Sequence, residues 1–296
     1  MSNLKKILNL HEEATHLRLQ EVCEKHGASI FSKVRLADIL PIEGSGISDS
    51  EYKFALQSHF DFVVSDDAHT PLFAVEFDGS LHTKRKQQDR DKIKNQLCRK
   101  FDFPLLRINS NYLKKAYRGM DLLSWFVEVW FAWVWFERAQ ASGEVPADEI
   151  FMPQMMVNIP EYDKQFPLWL SAPIRNKIQK LCFSGKITDM VPSHIIGKGE
   201  DGAYRAISYI RVTKEQGVIV DTAMRSQDFP VPQVDALDEL VTFQLYEKLI
   251  EALETGEGLI SLEEIASKIE EFKGKYEMRK AFGTSSSTTK GDPLSV

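Results

Sequence analysis

Two short apolar runs each carry a carboxylate where a buried strand ordinarily holds only hydrophobes. They are His59-Phe60-Asp61-Phe62-Val63-Val64 and Phe73-Ala74-Val75-Glu76-Phe77-Asp78-Gly79. A buried acid costs several kcal/mol unless it is paired, hydrogen-bonded or metal-bound, so two of them in neighbouring strands point to a metal site. Glu76 follows Asp61 by fifteen positions, with the polar stretch Ser65 to Thr70 between them. A hairpin of that size sets the two acids side by side on adjacent strands. Asp78 shares the face of Glu76, because strand side chains alternate with period two. Carboxylates supplying only oxygen suit Mg²⁺ or Mn²⁺ better than zinc. Gly79 closes the strand, and His82 follows within reach of the same edge.

A basic segment comes next. From residue 84 to 118, twelve Lys/Arg stand against three acids, in a chain whose formal net charge is −6. Lys84, Arg85, Lys86, Arg90 and Lys92 fall on a helix expected from about Thr83 to Phe101, and Arg107 on an apolar strand from Pro104 to Ile108. By itself a solvated helix face explains such a run equally well. Beside the carboxylates it is what binding a polyanion near a metal requires. Asp91 and Lys94, three apart, are neighbours on the helix surface. They form either an intrahelical ion pair or a pair in which Lys94 faces the scissile phosphate and Asp91 orients it. With packing carried by Ile93 and Leu97, loss of Lys94 is expected to leave the fold intact.

Together these segments resemble the PD-(D/E)XK nuclease superfamily, in particular the branch similar to very-short-patch-repair endonucleases and a bacterial domain within it. The resemblance lies in Asp61-Phe62, then Glu76-x-Asp78-Gly79-x-x-His82, then Arg90-Asp91-x-x-Lys94, then Pro104-Leu105-Leu106-Arg107-Ile108. It covers roughly the first 115 residues. It implies metal binding by Asp61 and Glu76, and His82 as a base or phosphate contact. An aspartate at position 78 replaces the motif's usual lysine. In related branches that cation moves to the following helix, which makes Lys94 the candidate and Lys92 the alternative. The backbone carbonyl of Phe77 would complete the metal site.

The first helix is expected over residues 4 to 25, with Leu8, Thr15, Leu19 and Val22 on one stripe. Glu12 lies on that stripe and Glu13 beside it. The resemblance implies a carboxylate contributed from this helix, Glu12 first and Glu13 second. Ser29 to Leu36 reads as a strand, and Pro41 to Asp49, with Gly44-Ser45-Gly46, as a loop.

From Leu122 to Phe136 apolar residues, four of them tryptophans, fall on nearly every side. Fifteen residues rise only ~22 Å, too short for a bilayer core that takes about 20 apolar residues. Such a helix is buried between domains or, if exposed, forms a two-fold homodimer interface. Ser142 to Pro146 reads as a break. Residues 147 to 280 hold 22 acids and 16 bases, with a hairpin turned at Glu215-Gln216-Gly217. Helices are expected over Pro232–Leu253 and Ser261–Phe282. Gly197-Lys198-Gly199 lacks the full P-loop spacing. Residues 283–296 are low in complexity and expected to be disordered. Cys23, Cys98 and Cys182 form no C-x-x-C pair, and no apolar signal segment follows Met1-Ser2-Asn3, so a reducing, cytoplasmic setting is expected.

The sequence therefore reads as an α/β protein. A restriction-endonuclease-like mixed sheet flanked by helices (1–118) leads through an aromatic helix (119–141) to a mixed α+β domain (142–282). The expected activity is Mg²⁺- or Mn²⁺-dependent phosphodiester hydrolysis, on DNA first. The alternatives are an inactive nucleic-acid binder of the same fold, or an interaction subunit of a defence or repair complex.

Overall fold

The computed structural model describes residues 5–79, 85–114, 121–155, 169–283 and 294. His82, Lys84 and most of the tail read as disordered lie outside the described residues, as do the side chains of Arg85 and Lys86. Contacts divide the chain into two units, residues 1–152 with 227–231, and residues 153–226 with 232–296.

In the first unit, helix α1 (Leu10–Cys23) starts at a capping box: the Asn9 side chain accepts from the N–H of Glu12, whose Oε2 accepts from Asn9 N–H. Its buried stripe is Thr15, Leu19, Val22 and Cys23. Strand β1 (Ser29–Arg35) leads to a single turn α2 (Leu36–Ile39) and to α3 (Asp49–Gln57), opened by a second capping box, Ser48 with Glu51. Strands β2 (His59–Ser65) and β3 (Pro71–Phe77) form the expected hairpin. Helix α4 (Arg85–Lys100) then crosses over to β4 (Leu105–Ile108), which pairs with β3 in parallel. A parallel neighbour needs a crossover of a dozen or more residues, and α4 supplies it. The sheet order is β1-β2-β3-β4, mixed, with helices on both faces. Leu36, Ala55, Leu97 and Cys98 cover one face through Val63, Ala74 and Leu105.

The aromatic helix α5 (Leu122–Ser142) covers the other face with α1. Phe73 lies 4.8 Å from Trp130 and Phe62 lies 6.0 Å from His16, between ring centroids. The connecting helix read at 119–141 is thus part of the first unit. Trp125 and Phe126 are fully buried and Trp130 nearly so, while Phe131, Trp133 and Trp135 are half-buried. Gly143, at φ 81°, ends α5 in the left-handed conformation that favours glycine. Residues 227–231 return to this unit: Leu105 N–H donates to Asp228 O at 2.8 Å, beyond the outer edge of β4, and Phe229 packs against Phe73. Among the described residues no helix is long and apolar enough to cross a membrane.

The second unit is a five-stranded antiparallel sheet, β8-β7-β6-β5-β9. Helix α6 (Ala172–Phe183) is followed by β5 (Ser193–Lys198), β6 (Tyr204–Arg211) and β7 (Gln216–Met224). Then come α7 (Gln233–Thr255), β8 (Ile260–Ser261), α8 (Leu262–Lys275) and β9 (Glu277–Phe282). The helix expected through Phe282 stops at Lys275, and its last residues form the edge strand β9. Alternation on β6 sorts the two cores: Ile210 packs with α6 and α7, while Ile207 and Tyr209 pack with α8.

A buried polar cluster lies inside this unit. Arg175 donates to Ser171 Oγ, Asp238 Oδ2 and Thr242 Oγ1, each at 3.0 Å, and Glu239 Oε2 accepts from Ser171 N–H. His194, 2 % exposed, lies 3.6 Å from Asp238 Oδ1, too far for a hydrogen bond. Burial lowers its pKa to about 4 against the pull of Asp238, so it is neutral near pH 7 and forms no ion pair. Burial raises Glu239 to about 7, opposed by its bonds to Ser171 and reinforced by Asp238.

The two shifts act on stability in opposite directions. For His194 stability is present above pH 6.5 and is lost as pH falls toward 4. For Glu239 stability is present below pH 4.5 and is lost as pH rises toward 7. Each amounts to about 3 kcal/mol, so wild-type stability should be nearly flat between pH 4.5 and 6.5. Glu239→Gln should uncover a rise with pH over that range and His194→Gln a fall, read by hydrogen exchange of α7 amides after correction for intrinsic rates. Two variants with parallel profiles would refute the compensation.

Candidate active site

The β2–β3 ladder ends at the pair Phe62–Val75. One step further the strands leave backbone N–H groups without ladder partners, and the two acids take them. Asp61 N–H donates to Glu76 Oε1 at 3.2 Å, and Phe77 N–H donates to Asp61 Oδ2 at 2.9 Å. Each carboxylate thus caps the other's strand, which places both at the same point of the sheet.

Helix α4 turns a polar face toward them. Gln87, Asp91, Lys94 and Asn95 recur at helical spacing. Lys94 Nζ lies 2.7 Å from Glu76 Oε1 and donates to His59 O at 2.8 Å. Lys92 points away, its side chain 75 % exposed, with Asp89 at 4.0 Å. Gln87, half-buried, donates to Asp91 Oδ1 at 3.2 Å, while Gln88 is exposed. Arg90 is exposed, its guanidinium 5.5 Å from the Phe54 ring.

The sequence offers Arg107 as a phosphate or helix-end contact, and the residue is 4 % exposed. Its Nη1 lies 2.9 Å from Asp78 Oδ1 and 3.3 Å from Asp91 Oδ1, and its Nε donates to Asn95 Oδ1 at 3.0 Å. Gln227 brackets its backbone, accepting from Arg107 N–H and donating to Arg107 O. Arg107 is an internal strut that ties the end of β3 to α4. Asp78, drawn into that ion pair, faces the network as Glu76 does.

Sequence reasoning missed Lys33. It stands directly across β1 from Asp61, at a break in a ladder that pairs Ser32 with Phe62 and Val34 with Phe60. Its φ is 57°, a left-handed conformation costing a non-glycine residue about 1–2 kcal/mol. The Nζ lies 2.7 Å from Asp61 Oδ1 and 2.8 Å from Glu12 Oε1. Burial pulls its pKa down, but the bonds to Asp61 and Glu12 outweigh it and the ammonium is retained. Glu12 serves twice, with one oxygen in the helix cap and the other on Lys33; Glu13 is exposed and pairs with Lys6 at 3.5 Å. In sequence Lys33 is one of four polar residues in the strand Ser29–Arg35, and its type alone does not single it out.

These groups lie along a cleft of about 1450 Å³, on whose wall the His11 ring stacks on Phe77 at 5.1 Å. Within the ion-pair network, Glu12, Asp61, Glu76, Asp78 and Asp91 face Lys33, Lys94 and Arg107. Burial raises the pKa of Glu76, Lys94 lowers it, and the adjacent Asp61 raises it again, leaving it above the usual carboxylate range.

Residues 4–120 match a family described as protein of unknown function (DUF2726). The DUF2726 match runs from α1 through β4, so it contains every element that supplies the cleft's ion pairs, and it ends before α5. No curated protein and no solved structure matches the chain.

Proposed function

We propose that the first unit is a metal-dependent nuclease of the PD-(D/E)XK type, hydrolysing phosphodiester bonds in DNA. The observation that carries the reading is the pair Asp61 and Glu76, held at one point of the sheet by each other's strand and backed by Lys94.

The donor set fits a divalent ion. Among the described residues no group of three or more His, Cys, Asp or Glu side chains is placed to hold a metal ion. Mg²⁺, however, ordinarily takes one or two protein carboxylates and leaves its other positions to water and phosphate. Asp61 and Glu76, with the Phe77 carbonyl, would hold it. When bound, Mg²⁺ or Mn²⁺ lowers the pKa of water and neutralises charge on the phosphate.

The remaining roles belong to side chains. Lys94 opposes the burial that favours the neutral acid at Glu76 and offers positive charge to the transition state. Asp78 or His82 accepts the proton of the attacking water or orients it. Arg90, with Lys84, Arg85, Lys86 and Lys92, meets the nucleic-acid backbone.

The second reading is a nucleic-acid binder without catalysis, favoured by the aspartate at position 78 and its commitment to Arg107. Incubating the full chain with plasmid DNA, single-stranded DNA and RNA, with Mg²⁺ or with chelator, separates the two. Metal-dependent cleavage supports the nuclease. Silence toward all three, with a retardation that weakens steeply with salt, supports the binder. Silence without binding removes both and leaves a protein-interaction role.

A further inference from the structure

We propose that Lys33 is a resident counter-ion of the cleft, exchanged for the divalent cation: its ammonium, shared with Glu12, occupies the Asp61 oxygen that the metal draws on, and metal entry releases it toward the substrate phosphate. The inference rests on the nuclease reading and adds to it a residue outside the motif.

Three observations carry it. The first is position. Lys33 Nζ lies within 2.8 Å of carboxylates from two separate elements, the helix α1 and the strand β2. Asp61 Oδ2 is already engaged by Phe77 N–H, so Oδ1, the oxygen that Lys33 holds, is the one a cation would compete for.

The second is the contrast between the two lysines. Lys94 is 10 % exposed at its side chain and is tied to both Glu76 and the His59 carbonyl. Lys33 is 32 % exposed, and described residues engage two of its three donors. Lys94 is therefore built in, whereas Lys33 is one-third exposed on a flexible stem.

The third is the backbone. A left-handed residue in mid-strand persists only where its surroundings impose it. Here it interrupts the ladder at the position facing Asp61 and directs a lysine onto that carboxylate. Two cations cannot share one carboxylate oxygen without repulsion, so Lys33 and the metal are competitors for Asp61.

The test measures Mn²⁺ binding to the full chain without nucleic acid, from loss of the free Mn²⁺ signal in electron paramagnetic resonance. Lys33→Met should tighten Mn²⁺ binding about tenfold or more, since the competing charge is gone. Lys33→Gly, which accepts the left-handed backbone without strain, should do the same, so a misfolded Met variant cannot decide the matter. Lys33→Arg, which keeps the charge, should stay near wild type. Adding Asp61→Asn to Lys33→Met should remove the gain. Unchanged or weaker Mn²⁺ binding in both the Met and Gly variants, or a gain that survives loss of Asp61, overturns the exchange. Tighter binding joined to undiminished cleavage overturns the release toward phosphate. An Asp61-dependent gain in a protein that cleaves nothing keeps the exchange and removes the nuclease. Cleavage by wild type with no gain in either variant does the reverse.

Discussion

Asp61→Asn is expected to reduce metal-dependent cleavage by roughly 10³ or more, combining weakened metal affinity with the loss of charge stabilisation at the phosphate. The asparagine side-chain oxygen can still accept from Phe77 N–H, so the strand end keeps its cap. Only the charge goes, and Lys33 retains Glu12 as its other partner. Thermal stability should therefore change little. Glu76→Gln should lose activity comparably. Its effect on stability has two opposed parts: the cost of burying a carboxylate is relieved, and Lys94 is left without its buried partner. Cleavage rates and melting temperatures of the two variants check this directly. Full cleavage by Asp61→Asn would remove the proposed site.

Lys94→Ala should act on stability and activity together. The sequence alone leads to the expectation that this lysine adds little to the fold, and the buried ion pair leads to the opposite one. Both side chains of the pair are about nine-tenths buried, and the contact is 2.7 Å. Removing one partner of a buried ion pair costs about 3–5 kcal/mol, because the other charge stays buried and uncompensated. In a unit of this size that corresponds to a melting point lower by roughly 10 °C. Assayed well below that temperature, cleavage should still fall by about 10²–10³. The double variant Lys94→Ala with Glu76→Gln should recover much of the stability and none of the activity. Lys92→Ala, at an exposed residue whose only described ion pair is 4.0 Å long, should be nearly silent in both assays. A Lys94→Ala protein as stable as wild type would mean that Glu76 is neutral in the native state.

What the chain made legible was periodic. An acid inside each of two apolar runs, fifteen residues apart, defines a hairpin that sets Asp61 beside Glu76. Period-two alternation puts Asp78 with Glu76, and a rotation near 100° per residue separates Lys94 from Lys92. The β3–α4–β4 crossover follows from a basic helix between two apolar strands. The helix caps at Asn9 and Ser48 are likewise local, since each is completed three residues later.

Other features depend on approach in space, and no window of sequence contains them. The burial of Arg107 is fixed by Gln227, 120 positions away, whose amide closes on its backbone. The same return segment brings Asp228 and Phe229 to β4 and Phe73, which is why residues 227–231 belong to the first unit. In the second unit, the opposed titrations of His194 and Glu239 exist only because α6, α7 and β5 bury their charges together. Lys33 is the sharpest case. Its residue type reads as a solvated strand position, and its left-handed backbone has no sequence signature in a lysine. Only the joint placement of α1, β1 and β2 converts that lysine into the counter-ion of Glu12 and Asp61. Local periodicity determined which carboxylates meet, because hydrogen bonding and side-chain alternation repeat along the chain; long-range packing decided which cations meet them, because the charge on a buried acid is balanced by whatever the fold brings within about 4 Å.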